Sequence, residues 1–270
     1  MTSSGPWSGG PFGQRGQCLL APNPGIMTLD GTNTWVLREP GSARAVVVDP
    51  GPFEEGHLDR VDDETGDVAL VLLTHHHFDH SEVAAELAER KGCAVRALDP
   101  AYCVGADPLA DDELISIDGL RLQVLATPGH TADSVSFLLP DERVLLSGDM
   151  VLGRGTTVVA HPDGQLAPYF DSIERMRALV DAGEVDTIWP AHGPVLPDAG
   201  AVLDFYRAHR RERLSQVETA LEQLAEDPTA SSADTLARRV VEVVYADVDP
   251  VLWDAAELSV RAQLEYLAER

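Results

Sequence analysis

Seven residues, Thr74-His75-His76-His77-Phe78-Asp79-His80, narrow the folds open to this chain more than any other stretch. They follow the apolar run Ala69–Leu73, which is too short for a helix and rich in Val and Leu. They precede a helical pattern at Ser81–Lys91, so His75, His77, Asp79 and His80 occupy a turn from strand into helix. Imidazole and carboxylate suit a divalent metal such as zinc. Four such groups in six residues exceed what one tetrahedral ion with an open position requires. Ser81 is expected to cap the following helix, with Glu82 favoured in its first turn by the helix dipole. His76 points away if His75 and His77 face one way, and His57 is expected on the surface.

Three later segments repeat the pattern of a strand that ends on a ligand. Leu120–Ala126 runs into Thr127-Pro128-Gly129-His130, Arg143–Leu146 into Ser147-Gly148-Asp149, and Thr187–Trp189 into Pro190-Ala191-His192. Small or rigid residues let the backbone turn there and leave a polar side chain at the strand end. Open α/β sheets build their sites at such ends. Singly, each would be an ordinary surface residue; together with the first cluster they form a set of five histidines and two aspartates. One catalytic zinc takes three protein ligands and a water, so seven donors fit two ions that share a carboxylate. The shared ligand needs two oxygens, which leaves Asp79 or Asp149.

Other short apolar runs, at Thr34–Leu37, Ala45–Val48, Ala94–Ala97 and Ser134–Leu139, read as strands, and Pro168–Ala182 reads as a helix. The alternation predicts a layered α/β domain over 17–196, behind a flexible leader at 1–16. The remainder, 197–270, is a small helical module with helices at about 198–225, 232–246 and 250–268. Asp227-Pro228-Thr229 breaks the first two and Asp249-Pro250 opens the third. Trp253, Ala256, Val260, Leu264 and Leu267 share one face of that last helix.

Composition limits partners. Lys and Arg number 20 against 45 Asp and Glu, a formal charge of −25. Such a surface repels nucleic acid and anionic membrane at long range, although bound cations dominate their own neighbourhood. The sparse cysteines, Cys18, Cys93 and Cys103, suggest a reducing compartment. No signal-peptide pattern and no membrane-length apolar run is present, so the cytoplasm is the expected location. Oligomeric state is left open.

His75-x-His77-x-Asp79-His80, followed by His130, Asp149 and His192, resembles the metallo-β-lactamase superfamily across about residues 30–195. The resemblance implies a four-layer αββα sandwich. It implies that His75, His77 and His130 hold one zinc, that Asp79, His80 and His192 hold a second, and that Asp149 bridges them. Asp49, in Val48-Asp49-Pro50-Gly51, matches the family's first motif, where an Asp supports the metal loop. Asn23-Pro24-Gly25, Thr28-Leu29-Asp30-Gly31-Thr32-Asn33-Thr34, Gly153-Arg154-Gly155-Thr156-Thr157 and His209-Arg210 are similar to the β-lactamase-like subfamily whose animal members include a mitochondrial endoribonuclease. There the tail is a small winged-helix-like module.

These residues predict a binuclear zinc hydrolase, with Mn2+ or Fe2+ compatible with the same donors. A hydroxide shared by the metals would attack the electrophile, with Asp79 orienting it or relaying its proton and Asp149 fixing the metal separation. Asn33, Thr156 and Thr157 are candidate substrate donors, with loop hydrogen bonding as their other role. The resemblance points to a phosphodiesterase acting on single-stranded RNA, and Arg207, Arg210, Arg211 and Arg213 cluster on one helical stretch. Asp204, Glu212 and the net charge oppose broad RNA affinity. The alternative is a small-molecule ester, thioester or lactam hydrolase, glyoxalase II-like, which would use all seven ligands. A reading of another class, a partner-binding regulatory protein with a vestigial site, is opposed by the intact ligand set.

Overall fold

The computed structural model describes residues 6–229 and 233–270. Two β-sheets lie face to face. The first contains β1 (Gly10–Phe12), β2 (Gly16–Leu20), β3 (Asn33–Leu37), β4 (Arg44–Val48), β5 (Asp67–Leu72) and β6 (Ala94–Arg96), in that spatial order. The second contains β7 (Leu114–Ile117), β8 (Leu120–Ala126), β9 (Val135–Leu139), β10 (Val144–Gly148) and β11 (Thr187–Pro190), running β11-β10-β9-β8-β7. Three helices belong to the first sheet: α1 (His57–Thr65), the single turn α2 (Phe78–Ser81) and α3 (Ala84–Lys91). Four more come after β10: α4 (Leu166–Asp181), which precedes β11, and α5 (Ala199–Leu224), α6 (Ala233–Val244) and α7 (Trp253–Ala268), which follow it.

Period-two alternation sorts the strand residues into layers. Val46, Val48, Leu70 and Leu72 face the second sheet and meet Phe137, Leu146 and Trp189. Their neighbours Ala45, Val47, Val71 and Leu73 face outward onto Leu58 and Val61 of α1 and Ala84 and Leu87 of α3. On the far side, Leu138, Leu145 and Ile188 meet Tyr169 and Ile173 of α4 and Leu203 and Tyr206 of α5. Both sheets are thus covered on both faces, which gives the expected αββα order. Each large apolar side chain so buried contributes roughly 1.5–3 kcal/mol. Trp35 and Trp189 stack with centroids 4.6 Å apart and pin the two sheets together.

The topology then decides where the site lies. β9 is antiparallel to both β8 and β10, and β11 is parallel to β10. Hence β8, β10 and β11 all end on one edge. In the first sheet β4 and β5 are parallel and end together. The two edges touch: the Val135 amide donates to the Thr74 carbonyl at 2.8 Å. Gly148, at φ +51°, has no room for a side chain, because an added Cβ would lie 2.8 Å from Thr74 Cβ.

The expected strands fall within a residue or two of those observed, while β1, β2, β7 and α1 were not anticipated. Within the stretch read as a leader, residues 1–5 lie outside the described residues, and Gly10–Phe12 is an edge strand paired with β2. Phe12 packs edge-on to Trp35 at 5.7 Å, so two aromatic rings order a segment whose Gly and Ser content suggested otherwise. Ser81 does not cap a helix. It closes α2, and its hydroxyl donates back to the carbonyls of His76 and His77, while α3 starts three residues later. His57 is buried, not on the surface. Its Nε2 lies 3.0 Å from the Pro50 carbonyl.

In the tail, Val217 and Leu221 of α5 pack with Val240 of α6 and Ala256, Val260 and Leu264 of α7. The expected start of the middle helix, residue 232, lies outside the described residues. Helix α5 has 26 residues, about 39 Å of length. Its first half belongs to the α4 layer and its second half to the tail cluster. Among the described residues no helix is long and apolar enough to cross a membrane.

Candidate metal centre

The four strand ends bring all seven sequence-selected donors to the edge where the sheets meet. His75, His77 and His130 form one group that could hold a cation, and Asp79, His80 and His192 form another. In the first, His77 Nδ1 lies 2.9 Å from His75 Nε2 and 3.1 Å from His130 Nε2. In the second, Asp79 Oδ2 lies 3.3 Å from His80 Nε2 and 3.1 Å from His192 Nε2. Neighbouring ligand atoms on a tetrahedral zinc sit roughly 3.4 Å apart. Asp149 stands between the groups. Its Oδ2 is 3.6 Å from His130 Nε2, and its Oδ1 is 3.4 Å from His192 Nε2 and 3.8 Å from His80 Nε2.

The outer nitrogens explain why the inner ones converge. His130 Nδ1 lies 2.7 Å from the Val158 carbonyl and His192 Nδ1 lies 3.1 Å from the Gly31 carbonyl. A carbonyl only accepts, so each Nδ1 carries the proton. His80 Nδ1 donates to Asp49 Oδ2 at 3.0 Å. Thr74 gives its hydroxyl proton to the same carboxylate oxygen at 2.7 Å, so His75 Nδ1 donates to Thr74 Oγ1 at 3.0 Å. In their neutral forms the rings of His75, His80, His130 and His192 therefore each turn an Nε2 lone pair inward, as a cation replacing the second proton of His80 and His192 would require. His77 Nδ1 can donate to His75 or to His130 but not to both, which leaves confronted lone pairs that a cation would satisfy. His80 Nε2 and Asp149 Oδ1 are buried without a hydrogen-bond partner, so the residues present fit divalent ions.

Electrostatics divide the two groups. Burial pushes His75 well below the ordinary imidazole range and His130 below it, and burial, reinforced by His130, takes His77 down to about 4. These rings are neutral and ready to bind metal. Burial opposes charge on His80 and His192 too, but the carboxylates of Asp79 and Asp149 outweigh it, and His192 rises to about 9. Asp79 and Asp149 are held well below the usual carboxylate range, because the facing imidazoles overcome the opposing effect of burial.

Asp49 is buried at a positive φ of 51°, with one oxygen on the Thr74 amide at 2.8 Å and the other shared by Thr74 Oγ1 and His80. His76 is outside both groups and pairs with Asp133 at 2.8 Å.

A profile of the Metallo-beta-lactamase superfamily matches residues 27–192, more than half of the chain. The chain belongs to the metallo-β-lactamase superfamily. A second profile, the beta-lactamase associated winged helix domain, matches residues 237–270 of this superfamily member. Among the described residues that region is helical, without a β-wing. A beta-lactamase-like protein 2 homolog of Drosophila melanogaster is 33% identical, covering 92% of this chain and 86% of its own. Lactamase-like protein vrtG of Penicillium aethiopicum is 32% identical, covering 88% and 80%. A solved beta-lactamase domain protein of Burkholderia ambifaria shares the fold with a TM-score of 0.76 at 21% identity, over 99% of this chain and 91% of that one.

In this superfamily member the donors open into a cavity of about 680 Å³. Asp79, Asp149, His77, His130 and His192 line its floor, and loop 26–29, loop 152–158 and the helices α5 and α7 line its walls. Thr156 and Thr157 reach the cavity. Thr156 Oγ1 lies 3.4 Å from His209 Nε2, and Thr157 Oγ1 lies 3.1 Å from His130 Nδ1. Asn33 does not reach it. Its amide donates to the carbonyls of Pro190 and Gly193 at 2.9 and 2.8 Å and accepts from Trp7 Nε1 at 2.7 Å, so it shapes the turn that carries His192. The expectation of a substrate donor at Asn33 fails because every polar atom of its side chain is already spent inside the fold. The residues not anticipated are the apolar wall, Tyr245, Val248, Leu252 and Ala256. A helical tail pattern signals a packed core, and nothing in its spacing separates cavity-facing positions from buried ones.

Proposed function

We propose that this superfamily hydrolase holds two divalent cations, zinc foremost, and cleaves a small ester, thioester or lactam carrying an apolar substituent. The observation that carries the reading is Asp149, whose two oxygens face the two donor groups at the floor of a cavity with apolar walls. Divalent cations there would supply an activated water at neutral pH and stabilise the anion that develops on the electrophile. The chain's own residues then divide the work. Asp149 sets the separation of the two groups, and Asp79, reaching into the cavity beside it, orients the attacking water and receives its proton. Outward hydrogen bonds lock the rings of His75, His80, His130 and His192. Ile26, Met27, Leu152, Val248, Leu252 and Ala256 exclude bulk water from the substrate's apolar part.

The arginines that favoured an RNA substrate are otherwise engaged. Arg207 pairs with Glu174 and Asp204, Arg211 pairs with Glu174, and Arg210 is buried, while Arg213 lies over the Tyr245 ring, bonds Gln216 and lines the cavity. The three cysteines are free thiols, which supports a reducing, cytoplasmic location. The deciding experiment is metal analysis followed by turnover of hexanoyl-N-acetylcysteamine thioester, a chromogenic β-lactam, bis(p-nitrophenyl) phosphate and a short single-stranded RNA, with Asp149→Ala as the blank. Two metal equivalents with cleavage of the thioester or lactam support the reading. Cleavage of only the phosphodiesters would restore the nuclease reading, and metal near zero would favour a regulatory protein with a vestigial site.

A further inference from the structure

Helix α5 reaches the metal centre through one buried cation. Arg210 is 8% exposed, and among the described residues no carboxylate lies within ion-pair distance of it. Its guanidinium donates to the Thr157 carbonyl and lies over the Tyr169 ring, 4.8 Å from the centroid. A buried charge without a carboxylate is costly, so its contacts mark a constrained position. Those contacts converge on His130. Thr157 puts its hydroxyl 3.1 Å from His130 Nδ1, and the next carbonyl, that of Val158, accepts from the same nitrogen at 2.7 Å. Tyr169 presses on the other side of that ligand. An added Cβ on Gly129, at φ +143°, would lie 2.4 Å from Tyr169 Cα, and the Tyr169 hydroxyl donates at 2.8 Å to the carbonyl of Met150, next to Asp149. Four residues before Arg210, the Tyr206 hydroxyl accepts from the Leu152 amide at 2.8 Å. Helix α5 thus clasps both ends of the 150–158 loop.

We propose that Arg210 is a positioning residue for the metal centre: by fixing the Thr157–Val158 backbone and the Tyr169 ring, it sets the orientation of the His130 imidazole. It is no candidate ligand, although its side chain also lines the cavity wall. Helix α5 therefore helps to define the first donor group, His75, His77 and His130, although it contributes no ligand. The inference rests on the binuclear reading, and its test separates the two.

The test uses full-length protein loaded with Co2+, read by visible absorption and metal stoichiometry, alongside kcat and KM on hexanoyl-N-acetylcysteamine thioester. Wild-type protein that takes up no Co2+ would sink the binuclear reading and this inference with it. Given two equivalents in the wild type, Arg210→Gln is expected to alter the Co2+ bands and to weaken one of the two equivalents about 10- to 100-fold. Its kcat should fall by a similar factor while KM stays within about twofold, because an orienting group acts on the rate and not on binding. Arg210→Lys keeps charge but loses the planar fork and should fall between, which carries the comparison if Arg210→Gln does not fold. Thr157→Val should shift the same bands, and the double variant should be no worse than the stronger single, as expected of one chain of contacts. Wild-type bands in a folded Arg210 variant, a rise in KM alone, or strictly additive losses would each overturn the proposal.

Discussion

The two sheets supply the metal centre in opposite ways. The first gives four donors within the six residues 75–80, braced by Asp49 and Thr74 from adjacent strand ends of the same sheet. The second gives three, His130, Asp149 and His192, each alone at the end of a separate strand. Its donors are braced from a distance, His130 by Thr157 with Arg210 behind it, and the His192 turn by Asn33 across the sandwich. A ligand cluster on one turn can be fixed by a single carboxylate. Ligands scattered over three strands need the rest of the fold to agree on their positions.

The largest effect should come from cutting the one side chain that spans both donor groups. Asp149→Ala is expected to abolish binding of at least one cation by elemental analysis and to lower kcat on the order of a thousandfold. Retention of two tightly bound equivalents would break the assignment of Asp149 as the shared ligand. Bracing on the two sides comes next. Asp49→Asn removes the charge from the hub of the 75–80 loop and should weaken metal affinity about 10- to 100-fold, measured by competition with a chelating dye. Asn33→Ala should instead act mainly on stability. It strands the Gly193 carbonyl and the Trp7 indole N–H, while the Pro190 carbonyl keeps the Trp35 indole, and a loss of about 1–3 kcal/mol in urea unfolding is expected. If the two substitutions gave the same profile, the contrast between local and distributed bracing would fail.

His57 offers a pH test of the first side. It sits under the Asp49-Pro50-Gly51 turn, and burial pushes its imidazole below the ordinary range. The unfolded chain takes up a proton near pH 6.5 while the folded chain resists it, so stability should fall as pH drops below that value. The His57→Gln variant should show a shallower decline of its urea midpoint between pH 6.5 and 5 than the wild type; parallel curves would show that His57 protonates alike in the folded and unfolded chain. The smallest effect is expected at the cavity mouth. Met27→Ala should raise KM for an apolar thioester about threefold and leave metal content untouched.

Legibility followed the same divide. The 75–80 turn could be read directly, because ligand spacing is a local property. The second-sheet donors were legible only through their repetition at strand ends, and the αββα order followed once β-periods and ligand positions were combined. Arg210 was visible only as one charge on an arginine-rich helix, since its contacts to Thr157 and Tyr169 span 53 and 41 residues (210 − 157 and 210 − 169) of sequence. Asn33 looked like a donor awaiting substrate, because a sequence does not display which amides are already satisfied. The ordering of residues 7–12 escaped notice because Trp7 and Phe12 act through partners that lie far along the chain.

The divided cavity has a bearing on how such a protein can diverge. Its floor is set by five of the seven candidate ligands, whereas much of its far wall is drawn from residues 245–259, in the region that packs as the tail. Mutations there can reshape what enters the pocket while the reaction itself is left intact. A lineage carrying this architecture can therefore trade one substrate for another by editing its last thirty or so residues, and drift in that stretch becomes a source of new specificity at little risk to catalysis.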